Sequence, residues 1–192
     1  MSIIKTITQR RSIGKMTAER PTRAQIEQIL EAGTHAPNHH NTQPWRFFVL
    51  AGDARAQVGA IMAESFLARA GNLVGEKGQA ALDKERTKLL RAPVVIAVAA
   101  EYPRQSNVVE IENVEAVAAA VENMLLVAEE LGLAAMWRTG DAAYDPRIKA
   151  WLGLAPEDHI VAFLYLGYAA IPHQKRQPIP IEKKTSWLGW ED

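Results

Sequence analysis

The chain has 192 residues, enough for one domain with a sizeable core, and its 48% hydrophobic and 23% charged residues are typical of a globular protein. Basic and acidic residues both number 22, so the overall charge gives no indication of binding to nucleic acid or an acidic membrane. Cysteine is absent, which excludes disulfides, thiolate nucleophiles and cysteine-based metal sites and suits a cytoplasmic protein. We see no signal-peptide core at the N-terminus and no apolar run of membrane-spanning length.

Helical patterns dominate the first 40 residues. Ser2 is placed to cap a short helix with three isoleucines on one face. Thr22 and Gln25 have the spacing of a capping box, which predicts the start of a second helix. Pro37 prevents this helix from continuing, so a polar loop over residues 36–44 should follow.

The middle of the chain alternates strands with helices. A strand is predicted from Trp45 to Ala51, and Asp53 is expected to cap a helix that runs to about residue 69. Three glycines in residues 71–78 indicate a mobile segment, and another helix should extend to Leu90. Pro93 precedes VVIAVAA, which is apolar on both faces and therefore predicts a buried central strand.

The clearest helical pattern runs from Glu110 to Leu131, with Gly132 as its stop. Alanines widen its apolar surface almost all round, which predicts a helix buried in a large core or an interface. Two further strands, LAAMW and HIVAFLYLGY, should flank a helix near residues 145–152. This order predicts a single α+β domain over residues 1–192, a three-layer α/β/α arrangement around one mixed sheet.

The segment of about residues 168–192 lacks any periodicity and is predicted to be an extended tail. It carries Trp187 and Trp190, two large apolar side chains that a solvated tail would not favour. We therefore expect the tail to pack on a surface, such as that of a partner chain.

A search for common catalytic motifs excludes several classes. No Gly-x-Gly-x-x-Gly follows a strand, and there is no Walker loop, Gly-x-Ser-x-Gly or His-Glu-x-x-His. Three of the five histidines, His35, His39 and His40, fall within six residues, which suggests a metal site. Pro37 breaks the helix that would align the first two, and the loop contains no acidic ligand, so solvated loop histidines are the competing interpretation.

Two other clusters could bind a ligand. Arg10, Arg11 and Ser12 combine two guanidiniums with a hydroxyl, which suits a phosphate, although arginines also commonly follow helix C-termini because of the helix dipole. The stretch from Trp137 to Gly140 follows a strand. Its glycine would allow backbone amides to approach a flat ligand, although a plain turn with a surface arginine is an equal alternative.

Taken together, these motifs resemble those of the FMN-dependent nitroreductase family, and within it the short, minimal branch. The similarity covers almost the whole chain and rests on the order of several short motifs. These are the Arg-Arg-Ser triplet after the first helix, NTQPW before a strand, LGLAAMWRTG after the long helix, FLYLGYA in the last strand and KRQP in the tail.

The resemblance implies how FMN would be held. Arg10, Arg11 and Ser12 would contact its phosphate and ribityl chain, and Arg176 in the tail would also reach the phosphate. In the minimal branch, the end of the second helix and the following loop contact FMN from the partner subunit, which points to His35 and His39. His40 receives no role.

The ring of FMN would meet a second set of residues. Asn41 matches an asparagine near the flavin, and Trp137, Arg138 and Thr139 match the segment that borders the ring, with a backbone amide near Thr139 facing N5. Longer members carry a lysine near the N1/O2 edge, two residues after the serine. That position is Gly14 here, with Lys15 one step late, so Arg138 or His35 would have to supply the positive charge.

The resemblance implies an intertwined homodimer with FMN at the interface, acting as an NAD(P)H oxidoreductase. NAD(P)H would pass hydride to the flavin, which would then reduce a nitroaromatic or quinone-like acceptor. No metal and no catalytic acid, base or nucleophile is required. Two alternatives stay open on the sequence alone: a flavin-binding protein of this fold with another role, such as flavin degradation or dehalogenation, and a histidine-loop metal hydrolase.

Overall fold

The computed structural model describes residues 2–71, 75–172 and 175–190. Its helices and strands, in chain order, are α1 (Ile3–Gln9), α2 (Arg23–Thr34), β1 (Trp45–Ala51), α3 (Asp53–Ala70), α4 (Gly75–Arg86), β2 (Val94–Ala100), α5 (Glu110–Glu130), β3 (Ala134–Arg138), α6 (Pro146–Trp151) and β4 (His159–Gly167). Short 3₁₀ turns lie at His39–Asn41, Lys88–Arg91, Asp141–Tyr144 and Ile181–Lys183.

The four strands form one sheet in the order β1-β2-β4-β3. All three strand pairings are antiparallel. The parallel element within the described residues is an isolated bridge between Ser12 and Ala135, so the expected mixed sheet is mixed only at this edge. Every residue of β2 is buried, as predicted for a central strand that is covered on both faces.

Helices cover both faces of the sheet. Side chains alternate along β2, so that Ile96 packs against α2 and α5 on one face. Its neighbours Val95 and Ala97 pack with Val58 of α3 and Ile148 of α6 on the other face. The predicted three-layer α/β/α domain is therefore confirmed.

Local signals at the helix ends agree well with the structure. The Thr22 side chain accepts from the backbone N–H of Gln25, whose side chain accepts in turn from the Thr22 backbone, so the capping box is complete. Gly132 has a φ of 73°, a conformation that suits glycine and ends the helical path of α5. The long helix is thus one residue shorter than predicted, with Leu131 as its C-cap.

Three predictions around α3 and α4 were wrong. Gly52, with no side-chain hydrogen bond, caps α3, and Asp53 instead occupies the first helical turn, where its charge favours the helix dipole. Residues 75–78 of the supposedly mobile segment belong to α4, because this helix packs tightly on α3; residues 72–74 lie outside the described residues. The helix ends at Arg86, and a 3₁₀ turn replaces its predicted extension to Leu90.

None of the helices in the described segments has both the length and the apolar character needed to cross a membrane.

Candidate functional site

One candidate region lies along the outer edge of β3. Ser12 bridges to Ala135, and the Ile13 N–H donates to the Ala135 carbonyl over 3.0 Å. The chain then passes closely over Met136, since a Cβ atom on Gly14 would lie 2.9 Å from its Sδ. The same Cβ position is 3.9 Å from Nη2 of Arg138. The guanidinium of Arg138 therefore stands beside the position where the resemblance implies a missing lysine.

Arg138 is a half-buried cation that has no acidic partner among the described residues. Its Nε lies 3.1 Å from Met136 Sδ, and its Cζ is 5.9 Å from the centre of the Tyr165 ring. Burial raises the pKa of Tyr165, so this phenol stays neutral and adds no negative charge. Across residues 2–71, 75–172 and 175–190, no carboxylate forms an ion pair with Arg138. A half-buried cation of this kind favours an electron-rich ligand.

The residues on either side of Arg138 border the same region of the surface. The indole N–H of Trp137 donates to the Val161 carbonyl over 3.0 Å, which fixes the ring against β4 while leaving 36% of the residue exposed. Thr139 is exposed, and Gly140 follows with a φ of 73°, so the backbone turns sharply at the end of the strand. A small cavity of about 170 Å³ lies beside Arg138, Thr139 and Tyr165.

Arg10 and Arg11 differ in their surroundings. The Arg10 side chain is 18% exposed, and its Nε lies 3.5 Å from a carboxylate oxygen of Glu122 on α5. Arg11 folds back, and its Nη1 donates to the carbonyls of Thr8, Gln9 and Arg10 at 2.7–3.0 Å. In this structure Arg11 therefore caps the C-terminus of α1, which is the alternative that helix-end arginines commonly adopt.

A second candidate region is the histidine loop, residues 35–44. His35 is the C-cap of α2, and its Nε2 lies 3.3 Å from Glu31. His39 Nδ1 lies 2.6 Å from Glu112 in the first turn of α5, and the His40 ring stacks on His39 with centroids 4.0 Å apart. The first two histidines thus pair with different glutamates, and among the residues that can be described no cluster of three or more candidate ligands could hold a metal ion.

The backbone of this loop is strained but well supported. His40, Asn41 and Gln43 all have positive φ values of 46–52°. The Gln43 N–H donates to Asn38 Oδ1 over 2.9 Å, and the Thr42 hydroxyl donates to Asn113 Oδ1 over 3.0 Å.

Asn113 is a buried connector that sequence reasoning missed. It is only 4% exposed, and its amide also donates to the Glu101 carbonyl over 3.0 Å at the end of β2. Four residues before Val117, it interrupts the apolar stripe of α5, and that polar interruption was the available signal. The same signal applies to Glu112, a polar residue next to Asn113 in the first turn of this apolar helix.

The two regions meet α5 at different levels. Arg10 contacts Glu122, and His39 contacts Glu112, which is ten residues earlier (122 − 112 = 10). At the rise of an α-helix these contacts are about 15 Å apart along the axis. A single chain therefore gathers residues 10–14 with residues 137–139, but it does not bring His39 to the same place.

Asn41 lies within the histidine loop itself, and Arg176 lies in the C-terminal tail. Asn41 is exposed, and its Oδ1 accepts only a long bond of 3.4 Å from Gln43. The side chain of Arg176 is exposed to solvent. The roles of all ten predicted ligand residues remain predictions.

Comparisons with known proteins agree with this architecture. The nitroreductase family model matches residues 7–168. A putative NAD(P)H nitroreductase of Escherichia coli K12 is 32% identical over 167 residues, which cover 87% of this chain and 88% of the relative. A similar protein of Bacillus subtilis 168, also described as a putative NAD(P)H nitroreductase, is 27% identical over 175 residues, which cover 90% of this chain and 88% of that relative.

Solved structures show the same fold. A nitroreductase-like protein of Bacillus cereus superposes with a TM-score of 0.79 at 26% identity, covering 99% of this chain and 97% of that one. A putative nitroreductase of Desulfovibrio desulfuricans in complex with FMN gives 0.73 at 27% identity, covering 100% and 99%. With a matching family model over most of its length and a relative above 30% identity, the chain belongs to the nitroreductase family, a family of oxidoreductases.

Proposed function

We propose that the protein is an FMN-dependent NAD(P)H oxidoreductase that reduces nitroaromatic or quinone-like acceptors in the cytoplasm. The observation that carries the proposal is the half-buried guanidinium of Arg138, which stands beside Gly14 and has no acidic partner in the part of the chain that the structure describes. The relative solved with FMN and the relatives described as NAD(P)H nitroreductases support the choice of cofactor and electron donor.

The residues along the β3 edge fit FMN. Arg10 and Ser12 supply a charged and a neutral donor for a phosphate, and the bridge from Ser12 to Ala135 holds them next to the strand. Arg138 offers positive charge and Trp137 a flat, fixed surface, which together suit an electron-rich ring system. Bound FMN would supply the redox chemistry, accepting hydride from NAD(P)H and delivering it to the acceptor.

In this proposal the protein contributes the binding of FMN and the electrostatic field around it. The Met136 and Tyr165 side chains shield one side of Arg138 from water, which strengthens its field. A preorganised cation of this kind stabilises negative charge that develops during reduction. The nitroreductase activity requires no nucleophile or general base from the chain, and we assign none.

We further propose that the active form is a homodimer with FMN between its subunits. Three isoleucines of α1 are 51–71% exposed, and in the tail Trp187, Leu188 and Trp190 are 66–91% exposed. Exposed apolar surfaces of this extent are typical of interfaces. We propose that the two-fold axis brings the histidine loop of one subunit near the β3 edge of the other, because within one chain the two regions contact α5 at different levels.

Arg10→Ala is expected to raise the Kd of FMN about 10- to 100-fold, the range for losing a charge-assisted hydrogen bond. FMN fluorescence quenching measures the Kd, and sedimentation of the same samples should report a dimer for both proteins. Glu122→Gln is the matched control, because it removes the ion pair of Arg10 but keeps the guanidinium. The control should remain within about threefold of the parent, since Glu122 is itself about half exposed and its contact with Arg10 is long, at 3.5 Å. An unchanged Kd for Arg10→Ala would remove this residue from the site.

A further inference from the structure

Two consecutive residues in the first turn of α5 form hydrogen bonds with the histidine loop. The Glu112 carboxylate accepts a 2.6 Å hydrogen bond from His39, and Asn113 accepts one of 3.0 Å from Thr42. Both contacts link positions more than 70 residues apart in the chain. The loop is therefore positioned by α5 and not only by its own turns.

The loop needs such support because its backbone adopts an unfavourable conformation. Positive φ values are unfavourable for non-glycine residues, and His40, Asn41 and Gln43 all adopt this conformation. Asn113 is buried, and both the oxygen and the nitrogen of its side-chain amide form hydrogen bonds, so its side chain is held in one orientation. The side chains of His39 and Glu112 are more exposed, at 57% and 33%, so a ligand can reach this hydrogen-bonded pair.

The His39–Glu112 contact also decides the chemistry of the imidazole. An ionised carboxylate only accepts hydrogen bonds, so Nδ1 of His39 must carry a proton. The bond from His39 lowers the pKa of Glu112, which keeps this carboxylate ionised. Nε2 is then the ring nitrogen left to face a ligand, and the second partner of a histidine commonly sets its tautomer in this way.

We infer that Glu112 is a positioning residue that fixes the tautomer and direction of His39 toward FMN bound by the partner subunit. This inference rests on the proposed function, because it takes the loop to contact FMN. Glu110, which precedes Glu112 by two residues, cannot replace it, since Glu110 is itself paired with His159 at 2.5 Å. Glu115 lines the same cleft as His39 and Glu112 but forms no hydrogen bond or ion pair in the described part of the chain, so it offers a matched control.

The test combines a spectroscopic signature with FMN affinity. In the full-length protein without FMN, ¹H–¹⁵N correlation spectra of the imidazoles, assigned with His39→Gln, should show His39 protonated at Nδ1. Glu112→Ala should lose that preference and raise the Kd of FMN about two- to tenfold, as for one net hydrogen bond. Glu112→Gln keeps an acceptor oxygen and should restore both the tautomer and the Kd, while Glu115→Gln should change neither.

Several results would overturn the inference. Protonation of His39 at Nε2 in the parent protein would remove the role of Glu112 in setting the tautomer. An unchanged Kd for Glu112→Ala, or an equal loss in Glu115→Gln, would remove its role toward FMN. If the parent protein keeps the Nδ1 proton but binds no FMN, the proposed function itself fails together with the flavin part of the inference.

Discussion

Arg138→Ala should lower kcat/KM for NAD(P)H-driven reduction of a nitroaromatic about 100-fold, with FMN at saturating concentration. Removal of one preorganised electrostatic contact in an active site commonly costs about this much. The guanidinium is half-buried, shielded by Met136 and Tyr165, and has no acidic partner among the described residues, so no carboxylate there neutralises its charge. The midpoint potential of the bound flavin should also become more negative, because positive charge favours the reduced form.

Two further variants make this prediction specific. Arg138→Lys keeps the charge but not the planar fork, and should recover part of the activity. Arg91→Ala removes an exposed arginine that also lies near Tyr165, and should leave kcat/KM within about threefold of the parent, as exposed charges contribute little. Equal activities for the parent and Arg138→Ala would show that the positive charge comes from elsewhere.

Gly59→Ala is expected to destabilise the protein by about 1–3 kcal/mol, the usual cost of overpacking. In an unhindered helix the same change would stabilise by about 1 kcal/mol, because alanine has the higher helix propensity. Here the added Cβ would lie 2.0 Å from the backbone carbonyl oxygen of Arg86 at the end of α4. A backbone atom cannot rotate away as a side chain can, so the clash outweighs the gain in propensity.

Urea denaturation of parent and variant measures the free energy of unfolding, and both are compared at equal protein concentration because the apparent stability of the proposed dimer would depend on concentration. Gln57→Ala, an exposed change two residues earlier in α3, is the control and should stay within about 0.5 kcal/mol of the parent. Gly59→Ala with parental or higher stability would mean that α3 and α4 can separate at no cost.

Patterns with a local cause were predicted well. The capping box at Thr22, the buried strand after Pro93 and the stop at Gly132 each depend on neighbouring residues, and each is present in the structure. Tertiary packing overrode local signals elsewhere. The glycines near residue 75 suggested mobility, yet Gly75 begins α4, a helix that packs on α3. The antiparallel pairing of every strand also depends on long-range contacts that no local pattern records.

Some residues of the candidate site could likewise be predicted from local sequence, and others depend on the tertiary fold. The residues along β3 could be selected because the motifs of the family are contiguous in sequence. The proximity of Gly14 to Arg138 could not, since 124 residues separate them (138 − 14 = 124). The roles of Glu112 and Asn113 depend on where α5 meets the histidine loop, and only the polar interruption of an apolar helix hinted at them. The helix-capping position of Arg11 was open in the sequence and is visible only in the fold.

The most direct test of the account is an anaerobic half-reaction experiment on the protein reconstituted with FMN. Addition of NADH or NADPH should bleach the flavin absorbance near the visible maximum, and subsequent addition of a nitroaromatic or a quinone should restore it. Flavin that stays oxidised with both nicotinamides, or that is reduced but not reoxidised by either acceptor, would contradict the proposed NAD(P)H oxidoreductase activity.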